Sequence, residues 1–373
     1  MSDSLLTNES KFLSLATAGV KGLHPYQPGK PIEELERELG ISDVVKLASN
    51  ENPLGPSPAA LEAIQAHLKD LALYPDGNGF RLKSALCEKY NLNAYQIILG
   101  NGSSDAIEFV IRALVNPGDE IIFSQYSFAM YPILTQMVSG KAVVTPAKDW
   151  GHDLNAMANA VSEKTKIIFI ANPNNPTGTW LTASDIEAFL NAVPETVLVV
   201  IDEAYYEYLD KPDYDTALNF LDHYPNLMVT RTFSKAFGLA GLRVGYGVCH
   251  PALTDLLNRV RPPFNVNSLA LEAAAVALND EDHLRKSVAL NRDGLVYLSK
   301  SFDDMGLNYI PSVGNFIAVN VGRSDAEVFD ALLKQGVIVR PVGNYDMKNY
   351  IRVTVGLQSE NERFIQALKV VLA

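Results

Sequence analysis

The reading of the chain turns on two stretches, TVLVVIDEAY (residues 196–205) and NLMVTRTFSKAFGLAGLRVGYGV (residues 226–248). Each opens on a short, nearly continuous apolar run rich in β-branched residues and closes on polar side chains. Runs of this length and composition read as strands buried on both faces. Working outward, the same texture recurs in QIILG (96–100), EIIFS (120–124), KAVVTP (141–146) and KIIFIAN (166–172). Between several of them lie amphipathic stretches, AIEFVIRALV (106–115) and ASDIEAFLNAV (183–193). Ser57 before Pro58 marks a helix start, with serine as the cap and proline in the first turn. Strands alternating with helices predict an α/β fold, with a mostly parallel central sheet covered by helices on both faces.

After about Pro262 the texture changes. A long helical region (267–302) leads to NFIAVNV (315–321), a helix near AEVFDALLKQ (326–335), VIVRP (337–341), YIRVTV (350–355) and a last helix from Ser359. This predicts a smaller α+β C-terminal domain. The expected division is an N-terminal arm and entry segment over 1–43, a large domain over 44–265 and the small domain over 266–373. HPYQPGKP (24–31) reads as extended because residues before proline avoid the helical region.

Composition narrows the function. The 373 residues carry a net charge of −12, which disfavours nucleic acid and anionic membrane surfaces as partners. An anionic ligand must instead be held by a few local cations and backbone N–H groups. The two cysteines, Cys87 and Cys249, have no metal-ligand spacing, so no metal is expected and a reducing, cytoplasmic setting is. No signal peptide or membrane-spanning run is visible.

In open α/β sheets, ligands gather beyond the carboxyl ends of the strands, and there this chain concentrates its polar residues. Lys235 follows an apolar strand among small and apolar neighbours, where partial desolvation lowers an amine's pKa and makes it an imine-forming nucleophile. Ser234 and Arg243 supply a hydroxyl and a guanidinium suited to phosphate. A lone Ser-Lys pair would be an ordinary surface feature; the whole segment is not. Asp202 ends a strand, placed to bond a pyridinium N–H, and Tyr205 lies three residues on. Glu203 reads as structural. Asn175, in NNPTG (174–178), sits on a rigid turn that presents its amide at the sheet edge. Ser103 and Ser104 open a helix after Leu99-Gly100-Asn101-Gly102, as a phosphate cradle or, more simply, with Ser103 as an N-cap. Phe128 is either a face for a cofactor ring or a core aromatic.

Together SKAFGLAGLRVG (234–245), DEAY (202–205) and NNPTG resemble the class II, fold-type I aminotransferases that use pyridoxal 5′-phosphate. HPYQPGKP, KLASNENPLGPSP (46–58), LYPDGNGFRL (73–82), GNGSSD (100–105), VIVRPVGNY (337–345) and YIRVTVG (350–356) extend the resemblance over nearly the whole chain. The resemblance implies a homodimer with catalytic Lys235, Asp202 and Tyr205. It implies that Ser103, Ser104, Phe128, Asn175, Ser234 and Arg243 bind the cofactor, joined by Tyr74 reaching into the neighbouring subunit. It also implies Tyr26, Asn50, Arg340 and Arg352 as substrate-binding residues. The implied reaction is transamination between histidinol phosphate and 2-oxoglutarate, giving glutamate; aromatic amino acids are the alternative donors. A phospho-amino-acid decarboxylase and a non-catalytic regulatory module are further alternatives. The segment NYDMKNY (344–350) departs from the usual glycine- and proline-containing loop there, which allows a different substrate shape.

Overall fold

The computed structural model describes residues 12–25 and 29–373. Seven strands form the central sheet: β1 (Ile97–Gly100), β2 (Glu120–Ser124), β3 (Lys141–Thr145), β4 (Thr165–Ala171), β5 (Leu198–Asp202), β6 (Leu227–Thr232) and β7 (Gly245–Cys249). Their order is β1-β7-β6-β5-β4-β2-β3. All neighbours are parallel except at β7, which runs antiparallel to both β1 and β6.

The apolar runs are continuous because both faces of the sheet are covered. Val199 and Ile201 of β5 enter one core with Ile168, Ile170 and Val229. Leu198 and Val200, on alternate positions, enter the other with Ile167, Phe169 and Met228. Full burial of such a side chain contributes roughly 1.5–3 kcal/mol, so a strand with apolar residues on both sides is firmly held in the interior of the sheet. Pro58–His67 forms a helix as expected, and the Ser57 hydroxyl accepts from the Ala60 N–H at 3.2 Å.

A second sheet is built from β8 (Tyr309–Ile310), β9 (Phe316–Asn320), β10 (Arg340–Pro341) and β11 (Tyr350–Thr354), in the antiparallel order β8-β9-β11-β10. VIVRP is not one strand. Val337–Ile338 pairs in parallel with Val45–Lys46, and only Arg340–Pro341 joins β11. Pro341 has no N–H to donate, and an edge strand tolerates that.

The long helical region is two helices, Ser268–Ala277 and Glu281–Asp304, separated where Asp280 caps the second by accepting from the His283 N–H at 3.1 Å. The first helix buries Ala270, Leu271, Ala273 and Ala274 in the large-sheet core. The second carries Leu298 and Phe302 into the small core, which also takes Val45 and Leu47. The two cores therefore change over along this helical pair and not at residue 266. The chain's early segment crosses to the C-terminal core before the large sheet begins. No helix among the described residues is long and apolar enough to cross a membrane.

Candidate active site

Three parallel strands, β4, β5 and β6, end on one side of the sheet, and a cavity of about 200 Å³ opens beyond them. The second sheet closes it from above. Of the residues singled out from sequence, the cavity brings together Asn50, Ser103, Ser104, Phe128, Asn175, Asp202, Tyr205, Ser234, Lys235, Arg243, Arg340 and Arg352.

Asp202, the last residue of β5, is 4% exposed. Its carboxylate accepts from the Tyr131 hydroxyl and the Thr230 hydroxyl, each at 3.0 Å. Burial pushes the carboxyl up to about 6, while these bonds and the Ala204 N–H pull it back down. Lys235 lies beyond the end of β6, and its ammonium donates to the Ser49 carbonyl at 3.0 Å. Burial, helped by the nearby Arg352 charge, pushes its amine down to about 8. The Tyr205 hydroxyl accepts from the side-chain amides of Asn50 at 2.9 Å and Asn175 at 3.1 Å. Burial pushes Tyr205 up to about 12. Burial outweighs the two donors, which on their own favour the phenolate, so the phenol keeps its proton; with its acceptor positions filled, it can donate that proton into the cavity.

The other end of the cavity is a cradle. The helix Ser103–Leu114 starts at Ser103, with Gly102 in the capping position and no side-chain cap bond. The Ser103 side chain thus does not serve as the N-cap, and the N-terminal turn faces the cavity with both serines. A helix N-terminus with free N–H groups favours an anion. Facing it, the Ser234 hydroxyl accepts from Thr232 at 3.0 Å and from the Arg243 guanidinium at 3.1 Å. Arg243 holds a left-handed backbone, φ +55°, a strained position that functional sites tend to keep. Gly102, at φ +86°, admits this arrangement, because a Cβ there would sit 2.5 Å from the arginine Nη2.

At the third corner, Arg340 and Arg352 are cross-strand partners on β10 and β11. Arg352 is buried and donates to Asn175 Oδ1 at 2.5 Å and to the Ala48 carbonyl at 2.9 Å. Two guanidiniums side by side suit a carboxylate or a phosphate. Phe128 meets Tyr131 edge-on, with ring centres 5.7 Å apart.

Tyr74 does not line this cavity: it is 82% exposed and stacks on Phe264 at 4.8 Å. Tyr26 lies outside the described residues. Glu203 does not line the cavity; it forms an ion pair with Arg231 on the reverse face of the sheet. Sequence reasoning missed Tyr131, whose bond to Asp202 spans 71 residues, and Tyr345, which lines the cavity from the turn Gly343–Tyr345. Neither carries a local signal, since each is placed by tertiary packing alone.

An amine of lowered pKa, a buried carboxylate, a phenol and an anion cradle around one cavity suit a phosphate-bearing, ring-nitrogen-containing cofactor. Comparison with known proteins agrees. Residues 42–368 match the family model described as aminotransferase class I and II. Histidinol-phosphate aminotransferase 1 of Nitrosococcus oceani is 59% identical over 364 residues, covering 98% of both chains. Histidinol-phosphate aminotransferase 2 of Pseudomonas fluorescens strain Pf-5 is 57% identical over 364 residues, covering 97% of this chain and 98% of that one. The crystal structure of histidinol-phosphate aminotransferase from Sinorhizobium meliloti, in complex with pyridoxal-5′-phosphate, superposes with a TM-score of 0.87 at 29% identity, covering 95% of this chain and 97% of that one. The chain belongs to the class I and II aminotransferases, among relatives that are histidinol-phosphate aminotransferases.

Proposed function

We propose that the chain is a pyridoxal-phosphate enzyme that transfers the amino group of L-histidinol phosphate to 2-oxoglutarate, giving imidazole acetol phosphate and glutamate. The observation that carries the reading is the meeting of Lys235, Asp202 and the serine–arginine cradle in one cavity. The residues fit the cofactor: Ser103, Ser104, Ser234 and Arg243 would hold its phosphate, Asp202 its ring nitrogen, and Asn175 and Tyr205 its ring oxygen. The space that a Cβ at Gly102 would fill is taken by Arg243, so the cradle is shaped for an anion before any ligand arrives. When bound, the cofactor supplies an electron sink for charge developing on the substrate carbon.

The chain's own groups do the rest. Lys235 would carry the cofactor, and its amine, pushed down to about 8 by burial when free, is placed to take and return the proton at the substrate carbon bearing nitrogen. Ionised Asp202 would keep a proton on the cofactor's ring nitrogen. Tyr205, held in place by Asn50 and Asn175, would donate its hydroxyl hydrogen to the ring oxygen. Arg340 and Arg352, with Tyr26, bind the anionic end of the substrate, a phosphate on one donor and a carboxylate on the other.

The reading includes a cytoplasmic homodimer in which Tyr74 serves the neighbouring subunit. Tyr74, Leu71, Leu73 and Phe80 are all largely exposed, an apolar surface that a second copy would cover. Glutamate release is the test. The chain loaded with pyridoxal phosphate should form glutamate from 2-oxoglutarate only when histidinol phosphate is present. Release of CO₂ in place of glutamate would overturn the assignment in favour of a decarboxylase.

A further inference from the structure

Behind the cavity, on the reverse of the strands that carry Asp202 and Lys235, lies a charged pair that the mechanism does not use. Side chains alternate along a strand. Asp202 lines the cavity, with Thr230 bonded to it from the same side of the sheet; Arg231 and Glu203, one residue on, point away. Each of the pair is 1% exposed. The Arg231 guanidinium donates from Nε and Nη2 to one Glu203 oxygen at 2.9 and 2.7 Å, and from Nη2 to Thr216 at 2.7 Å. It also lies 3.7 Å from the Tyr206 ring centre and 4.9 Å from that of Tyr90. Glu203 accepts further bonds from Thr216 at 2.9 Å and the Ala217 N–H at 2.7 Å.

Burying an ion pair adds little stability over well-packed apolar residues, while leaving one partner alone is costly. Stability is therefore a weak reason for this pair, and its location suggests another. Asp202 is register partner to Thr230, and the Glu203 N–H donates to the Thr230 carbonyl at 2.8 Å. The Asp202–Thr230 contact in front and the Glu203–Arg231 contact behind thus clasp the same two strand ends. Glu203 also pushes its neighbour Asp202 towards the protonated form, and Arg231 is the cation paired with Glu203.

We propose that Arg231 and Glu203 are positioning residues for the site, clasping the ends of β5 and β6 and neutralising the charge behind Asp202 so that it remains an ionised acceptor for the cofactor's ring nitrogen. This rests on the reading of the cavity as a pyridoxal-phosphate site. Asp202 is faced by Tyr131 from the helix Met130–Met137, Thr230 from β6, Tyr205 from the following turn and Lys235 beyond β6. The pair is faced by Tyr90 from the helix Phe80–Tyr90, Tyr246 from β7, and Tyr206, Glu207 and Tyr214 from the segment after β5.

The test is binding of pyridoxal phosphate to the full-length apoprotein from pH 5 to 8, with thermal unfolding of each variant alongside. Wild-type affinity should fall as pH drops through about 6, where Asp202 takes up a proton; the cofactor phosphate's own titration is common to every variant. Arg231→Met leaves Glu203 uncompensated and should move that midpoint up by about one unit. Glu203→Gln leaves Arg231 uncompensated and should move it down. The double variant should return near wild type. A pair that merely fastens the fold would weaken both single variants without shifting their midpoints in opposite senses, and that result overturns the proposal. If Arg231→Met does not fold, Glu203→Gln still decides: a midpoint unmoved or raised rejects the idea. A wild-type chain that binds no pyridoxal phosphate would instead sink the reading of the site, and this inference with it.

Discussion

At the residue scale the site works by desolvation offset with specific bonds. Burial alone would leave Lys235 a better nucleophile and Asp202 a poorer anion. The two hydroxyls on Asp202 correct the second effect without touching the first. Tyr131→Phe removes one of them, and a hydrogen bond to a charged group is worth about 1.5–3 kcal/mol. Denaturant unfolding of the apoprotein should show a loss of that order, and cofactor affinity at pH 7 should fall because Asp202 then protonates more readily, as titration of the apoprotein with pyridoxal phosphate will show. Lys235→Ala removes the amine itself. Borohydride treatment followed by peptide mapping should find the cofactor's mass on the peptide carrying residue 235 in wild type and on no peptide of the variant; a modified peptide elsewhere would reject Lys235. Residues such as Lys235, Asp202 and Arg243 were legible in sequence because they stand beside strand ends in unusual local company. Tyr131 and Tyr345 were not, because their roles arise from contacts across the fold.

At the level of elements, strands were the more legible part. A strand with apolar residues on both faces, like β5, announces itself in one dimension, whereas the order of strands in the sheet depends on contacts the sequence does not display. The helix at Ser103 shows a finer failure. Serine ahead of an apolar run suits both a phosphate cradle and a cap; Gly102 takes the capping position at a backbone angle other residues avoid, which leaves both hydroxyls to the cavity. Gly102→Ala should therefore be a functional lesion. Its Cβ would displace Arg243, and pyridoxal-phosphate affinity should drop by more than about tenfold, consistent with losing a charge-assisted contact; unchanged affinity would show that the cradle tolerates a side chain. Ser57→Ala, at a conventional cap that does not line the cavity, should cost about 1 kcal/mol in denaturant unfolding and leave activity intact.

On the scale of the whole molecule, the substrate end of the cavity is made where the chain's second core meets the first. Arg340 and Arg352 come from the C-terminal sheet, Asn50 from the segment that follows a strand paired into that lobe, and Lys235 from the large sheet. A boundary at residue 266 missed this interleaving because linear texture cannot show which core a helix joins. The exposed Tyr74 extends the same logic to a second copy. Inactive Tyr74→Ala and Lys235→Ala chains, mixed and allowed to exchange, should regain activity at about a quarter of all sites, measured by glutamate release; no recovery despite exchange would place Tyr74 outside its neighbour's site. The most direct measurement of the central claim is a comparison of kcat/KM for histidinol phosphate against phenylalanine and tyrosine, with 2-oxoglutarate as acceptor. The paired arginines predict a large preference for histidinol phosphate, lost selectively in Arg340→Ala. A preference for the aromatic amino acids would leave the Lys235 chemistry standing and contradict histidinol phosphate as the substrate.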